Sequence, residues 1–339
     1  MRLNNLIILF VLILIGFTLP VFLKTNLSAR SAQLNSDYSS YLITATEGAM
    51  DSVVSLDTGK YFFSSQARRK KAVETFYEIL IQCFNYERST YKDLVRYYVP
   101  CIFMIDTDGF YIEYTNEYRN QAGMAEYSEV ITPVNKWSKS YSLGSNGITG
   151  NSYTVEYHLD DTVVVTYTDP HGQVETIKGD WQDVYIKMGS PLELQHVFGS
   201  QETFINEKKE VIIAILSDQM EFYINAHSES ANQVNQVQYQ FTLPTITGED
   251  WARLIDAPTL ISFLQGVQTP YDNSFLNIYA LAGSEVEKNI FYYISEDSTG
   301  VKYYHRSGCS RLADADKRQV YSMKQAAKHG AYPCQECVK

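Results

Sequence analysis

This 339-residue chain is poor in basic residues and contains none of the short motifs of the common enzyme classes. Its 28 Lys and Arg stand against 39 Asp and Glu, and the resulting net charge of −11 argues against nucleic-acid binding by the whole chain. A G-x-S-x-G elbow, a glycine-rich phosphate loop and an HExxH sequence are all absent, which makes an enzyme the minority hypothesis. A site assembled from dispersed residues would escape such a search.

The charge is unevenly distributed along the chain. Residues 301–339 carry eight basic and three acidic residues, a balance of +5, which leaves −16 for the rest. A basic tail suits contact with an anionic surface, although a solvated basic surface is the simpler interpretation. No nucleic acid is expected as a partner of the acidic body.

The amino-acid content is that of a folded protein rich in strands. An apolar fraction of 45% is ordinary for globular domains, and the chain is long enough for two or three folded units. The 27 Tyr and 16 Phe, set among many small polar residues, favour β-rich surfaces over a helical bundle. The sequence therefore predicts an α+β fold.

One long hydrophobic run, Leu6–Leu23, has 18 residues without a charge, enough for a single transmembrane helix. Its length, and the lack of a clean small-residue cleavage site after it, favour an uncleaved anchor over a cleaved signal peptide. Positive charges on both sides leave the orientation open by the positive-inside rule. We expect a membrane anchor at residues 1–24, with the bulk of the chain extracytoplasmic.

Two helices are predicted after this run, within residues 25–100. Residues 26–54 contain no proline and place apolar residues at helical spacing, which predicts a stalk that continues from the anchor. Asp57 and Gly59 interrupt it. A second helix then spans about Ser65–Tyr98, because Pro100 stops it.

The body, residues 101–290, is predicted to be mixed α/β. Cys101–Tyr114 has the pattern of a hairpin that turns at residues 107–109. Asp106 and Asp108 resemble the opening of a calcium loop, but no further acidic ligands follow, so a tight turn is the better interpretation. Further strands are predicted at 152–158, 162–168, 173–178 and 277–282, and helices at 203–227, 250–254 and 258–264.

Candidate reactive residues in the body are scattered. Four histidines have no His or Cys three or four residues away and are more often ordinary histidines than metal ligands: His158, His171, His196 and His227. Cys83 and Cys101 suit either a disulfide, worth about 2 to 4 kcal/mol outside the cell, or two buried thiols.

Four candidate metal ligands occur in the last 35 residues. His305 and Cys309 form one pair, and Cys334 and Cys337 form a second pair after 24 intervening residues. Two chelating pairs on separate turns are what a tetrahedral Zn²⁺ ion needs. The weaker interpretation is that the three cysteines are free thiols and that the histidine binds no metal. His329, five residues before Cys334, is a rival for the fourth ligand position.

The local sequence agrees with a module at residues 291–339. Strands at 291–294 and 301–304, joined by a turn at 297–300, would deliver His305 at a strand end. Ser322 and Gln325 form a capping box for a helix that ends near His329, and Gly330 suits the position just past that end. The module is therefore predicted to be a β-hairpin and a helix around one ion.

The segments YYHRSGC and YPCQEC resemble the metal-binding domain of Ada-type alkylation-repair proteins, over about Tyr293–Lys339. In that family the first cysteine accepts a methyl group from DNA phosphate, and the matching residue here is His305. The resemblance therefore implies zinc ligation without methyl transfer, by His305, Cys309, Cys334 and Cys337. A closed set of three sulfurs and one nitrogen is typical of a structural zinc ion, which in small modules contributes about 10 to 16 kcal/mol to folding.

The leading functional hypothesis is a membrane-anchored structural or interaction component of a bacterial cell-surface assembly, with protein partners. The anchor that continues into a helix is faintly similar to the minor pilin-like anchors of adherence pili, although the prepilin Gly and Glu pattern is missing. An extracytoplasmic ligand sensor is the alternative. A cell-envelope enzyme with a dispersed site comes third.

Overall fold

The structure is a computed structural model that divides into two compact units, Met1–Ser284 and Glu285–Lys339, here called the N-terminal and C-terminal units. Its described residues in the N-terminal unit are 3–54, 62–85, 95–119, 125–142, 152–169, 171–235, 241–268 and 275–283. Those in the C-terminal unit are 293–297, 300–305, 309, 311–312, 326, 329–334 and 337.

Helices and strands alternate in blocks along the N-terminal unit. It opens with helices α1 (Leu3–Val54) and α2 (Gln66–Cys83). The strands that follow are β1 (Cys101–Asp106), β2 (Gly109–Arg119), β3 (Ala125–Ile131), β4 (Trp137–Ser142), β5 (Ser152–Tyr157), β6 (Thr162–Thr168) and β7 (Val174–Asp180). After them come helices α3 (Trp181–Lys187), α4 (Gln195–Phe198), α5 (Gln201–Asn235) and α6 (Gly248–Asp256), then strands β8 (Thr259–Gln268) and β9 (Phe275–Gly283).

The main sheet of this unit has five antiparallel strands in the order β3-β2-β1-β8-β9. All six residues of the central strand β1 are buried, which accounts for its almost uninterrupted apolar sequence CIFMID. A second sheet, in the order β4-β5-β6-β7, is an antiparallel meander. Its strand β5 alternates buried and more exposed residues, as expected for a sheet with one face toward a core.

Helices cover both faces of the main sheet. On one face, the Thr46 hydroxyl of α1 lies 2.7 Å from the Ser262 hydroxyl of β8, and both residues are fully buried. On the other face, the ring of Phe103 on β1 meets Tyr223 of α5 edge-on, with 6.4 Å between ring centroids. The sheet is therefore the middle layer of the unit.

Small residues on α1 allow α2 to approach it closely. Ala45 and Ala49 are fully buried. At Gly48 a methyl group would fall 2.3 Å from the Cδ1 atom of Ile79 on α2. At its own start, α2 is capped by the Ser65 hydroxyl, which accepts a hydrogen bond from the backbone N–H of Arg68.

Most elements predicted for the body are confirmed. The hairpin turns at Thr107 and Asp108, with Asp106 opposite Gly109, whose φ of +153° is a conformation that favours glycine. The predicted strands correspond to β5, β6, β7 and β9, and the predicted helices at 203–227 and 250–254 correspond to α5 and α6. Asp57 and Gly59 lie outside the described residues.

Two predicted helices are corrected. The helix expected at 258–264 is wrong, because these residues begin strand β8 and are buried between two layers, where a continuous apolar run fits a central strand. The second helix ends at Cys83 with Phe84 as its cap, instead of reaching Tyr98. Residues 95–97 are helical again, and Pro100 lies between this turn and strand β1.

The predicted transmembrane helix at residues 1–24 is also corrected. In the part of the chain that the structure describes, no helix combines the length and the apolar character needed to cross a bilayer. The run Leu6–Leu23 lies within α1, which is a single helix of 52 residues. The α1 side chains from Phe22 to Arg30 are exposed and include the charged Lys24.

The buried hydroxyl pair between α1 and β8 gives a testable prediction. Thr46 also donates to the Leu42 carbonyl oxygen, so Ser262 is the donor to Thr46. Thr46→Val should lower the free energy of unfolding by about 1 to 3 kcal/mol, since it leaves the Ser262 hydroxyl buried without an acceptor. Urea unfolding of the full chain measures this.

Ser262→Ala provides the matched control. Added to Thr46→Val it should recover most of the lost stability, because the orphaned hydroxyl is removed. A double variant as unstable as Thr46→Val alone would contradict the assignment.

Candidate metal centre

The first ligand of each pair lies at the end of a strand in the three-stranded sheet of the C-terminal unit. Strand β11 (Lys302–His305) pairs with β10 (Tyr293–Glu296) in an antiparallel arrangement and with β12 (Tyr332–Pro333) in a parallel one. The backbone N–H of Cys334 donates to the Tyr304 carbonyl oxygen at 3.1 Å. Because parallel strands end at the same edge, His305 and Cys334 leave the sheet side by side.

The four predicted ligands are brought together by this arrangement. One ligand atom from each of His305, Cys309, Cys334 and Cys337 lies within 4.8 Å of all the others. His305 Nδ1 is 3.3 Å from Cys309 Sγ and 4.0 Å from Cys337 Sγ. The Sγ atoms of Cys309 and Cys334 are 3.9 Å apart.

These distances fit the edges of a tetrahedron around zinc. Bonds of about 2.3 Å to sulfur and about 2.0 Å to nitrogen require roughly 3.8 Å between two sulfurs and roughly 3.5 Å between sulfur and nitrogen. The observed separations of 3.3, 3.9 and 4.0 Å fall near these values. The four residues could therefore hold one metal ion, and soft thiolates with one imidazole suit zinc.

The histidine is oriented by a neighbouring strand. Its other ring nitrogen, Nε2, lies 2.8 Å from the Ser295 hydroxyl on β10. The hydroxyl can accept a hydrogen bond from Nε2–H, and this tautomer leaves Nδ1 unprotonated, which is the form that binds a metal. Sequence reasoning missed Ser295. Its position two residues into a hairpin strand opposite Tyr303 is the signal that could have indicated it.

Three of the four candidate ligands are buried. His305 and Cys334 are each 2% exposed and Cys309 is 9% exposed, whereas Cys337 is half-buried. Three of these ligands also belong to the apolar core of the unit, in which Cys309, Cys334 and Cys337 pack with Leu312. The ligands are thus part of the core itself.

The turn before the second ligand pair is set by a glycine. The N–H of Ala331 donates to the Ala326 carbonyl oxygen, and Gly330 between them has a φ of +71°. This combination is the Schellman motif that ends helices, as the sequence predicts for Gly330. The capping residues Ser322 and Gln325 lie outside the described residues. His329 is not a member of the ligand cluster.

The other candidate residues have structural surroundings. The Asp106 carboxylate accepts hydrogen bonds from the backbone N–H groups of Phe62, Phe63 and Thr107, and burial raises its pKa. Asp108 forms an ion pair with Lys136 at 2.8 Å. The two aspartates therefore stabilise a hairpin and its neighbours, in agreement with a tight turn.

The histidines and cysteines of the N-terminal unit do not assemble into a metal site among the described residues. His158 lies 2.8 Å from the Thr162 hydroxyl, and His227 Nε2 lies 2.8 Å from the Tyr97 carbonyl oxygen. Burial lowers the pKa of both imidazoles. Cys83 and Cys101 are both free thiols, so the disulfide alternative is wrong.

The ligand assignment predicts the metal content of the full chain. The parent protein should contain about one zinc ion per chain, and His305→Ala and Cys334→Ser should each lose it, because three remaining ligands leave an incomplete tetrahedron. Elemental analysis after gel filtration measures this.

His329→Ala and Cys83→Ser are matched controls, since each removes the same kind of side chain outside the cluster. Both should keep the parent's zinc content. A metal-free parent, or loss of zinc in His329→Ala, would contradict the assignment.

Comparison with protein-family models, with curated proteins and with solved structures finds no match for this chain.

Proposed function

We propose that this protein is a structural or interaction component of a larger assembly, with a C-terminal unit that is folded by a structural zinc ion. The observation that carries the proposal is the closed set of three sulfurs and one nitrogen formed by His305, Cys309, Cys334 and Cys337. Four protein ligands fill a tetrahedral ion, so no position remains for a substrate or for a reactive water molecule.

The apolar clusters described in the C-terminal unit support a folding role for the metal. One apolar cluster consists of Tyr304, Ala326 and Ala331 with Ile294 packed against it. The other is built largely from the ligand cysteines themselves. A unit of this size has little apolar surface to bury, and bound zinc supplies the missing stabilisation, about 10 to 16 kcal/mol in comparable modules.

The surface of the unit supports interaction as its role. Tyr332 is 63% exposed, and exposed tyrosines are enriched at protein interfaces. Lys302 and Arg311 are exposed as well, in a segment with a balance of +5. An aromatic side chain among positive charges suits an acidic protein surface as the partner. A cell-surface location for the assembly remains a prediction from the sequence.

Metal removal tests the folding role. A chelator should increase hydrogen exchange of the Cys334 amide and of β11, because the strand ends lose the ion that joins them, while β1 and β8 should remain protected. Mass spectrometry of peptides from the full chain measures both regions. Added Zn²⁺ should restore protection and Mg²⁺ should not.

Cross-linking in the cells that produce the protein tests the interaction role. Partners of the C-terminal unit should be lost in Cys334→Ser and kept in Cys83→Ser. An unchanged set of partners in a Cys334→Ser protein whose C-terminal unit is unfolded would overturn the proposal.

A further inference from the structure

A carboxylic acid lies fully buried between β2 and α2 of the N-terminal unit. Glu113 of β2 is 0% exposed. Its Oε2 atom accepts a hydrogen bond from the Tyr77 hydroxyl of α2 at 3.3 Å, and its Oε1 atom is buried without a hydrogen-bond partner. Buried carboxylates are normally paired, so this environment suits the protonated acid much better than the ionised one.

The charges that the structure describes around Glu113 do not neutralise its ionised form. Among the described residues, the charged groups that act on it are Arg96, which precedes β1, and Glu129 of β3. The Arg96 guanidinium is committed to Glu129 at 2.8 Å and lies over the Tyr77 ring at 4.2 Å. Cys101 of β1 is a buried thiol that adds no positive charge. In the described part of this region, one cation therefore lies near two carboxyl groups.

The contact between α2 and β2 includes a second polar group. Tyr111 and Glu113 project from the same face of β2, since they are two residues apart. Arg69 of α2 lies over the Tyr111 ring at 4.1 Å and donates to the Phe63 carbonyl oxygen at 2.6 Å. These polar contacts add to the apolar packing of α2, whose buried side chains include Val73, Phe76 and Leu80, and the Tyr77 contact depends on the state of Glu113.

We propose that Glu113 is a proton-operated latch: its protonated side chain holds α2 on the sheet, and loss of the proton to solvent releases α2. The ionised carboxylate would be buried with one hydrogen bond and, among the described residues, without a cation of its own. When α2 lifts from the sheet, water can solvate the ionised carboxylate. Helix α2 also packs against α1, so the latch controls how firmly α1 is braced on its α2 side.

The pH range follows from the two states. Burial and the Glu129 charge raise the pKa of Glu113 from 4.5 to about 8 when α2 is in place. In the open form, water restores the ordinary value. The closed form therefore binds the proton more tightly than the open form. The stability that the proton gives to the closed form is complete below the ordinary pKa, and it is lost as the pH rises from the ordinary pKa to the raised one. Opening should become about tenfold more favourable per pH unit and level off above the raised pKa.

Hydrogen exchange of the full chain tests the latch. The α2 exchange rate of the parent, divided by that of Glu113→Gln at the same pH, cancels the direct effect of pH on exchange. This ratio should rise about tenfold per unit between pH 5 and pH 8 and then level off. The same ratio for β8 should remain constant, because release of α2 is local.

Glu129→Gln separates the latch from a general loss of stability. Removing this carboxylate frees Arg96 for Glu113 and lowers the pKa of Glu113, so the rise in α2 exchange should end at a lower pH. A flat ratio for α2, or an equal rise for α2 and β8, would overturn the proposal.

Discussion

The N-terminal unit depends on the antiparallel pairing of β1 with β8. Ile102 lies opposite Ser262 in this pairing, although residues 107–258 separate the two strands in sequence. Closing so long a loop costs conformational entropy, which the burial of both strands on both faces has to offset. Strand β8 also pairs with β9, and its Ser262 hydroxyl contacts Thr46 of α1.

The C-terminal unit is held together by a different kind of interaction. Among its described residues, one apolar cluster contains Tyr304, Ala326 and Ala331, and the other contains Leu312 with the candidate ligands Cys309 and Cys334. Parallel pairing of β11 with β12 brings His305 beside Cys334, in a cluster of four residues that could hold a metal ion. The N-terminal unit is thus stabilised mainly by its packed layers, and we propose that metal ligation stabilises the C-terminal unit.

Local patterns in the sequence were sufficient for much of the fold and for the ligand set. The spacing of His305, Cys309, Cys334 and Cys337 indicated the cluster because chelating pairs are local. The hairpin at Gly109 was likewise indicated by its own residues. Strand β8 was mistaken for a helix because a continuous apolar run has no period, and only its neighbours decide the matter. Ser295 and Glu113 were missed for the same reason, since each acquires its role from a side chain on another element.

The position of β8 in the chain has a consequence for biosynthesis. Strand β1 leaves the ribosome long before its partner, and at ordinary elongation rates the intervening segment takes on the order of ten seconds to make. During that time the apolar sequence CIFMID has β2 on one side and an unpaired edge on the other. The nascent chain therefore has to be kept from pairing with other chains until β8 emerges.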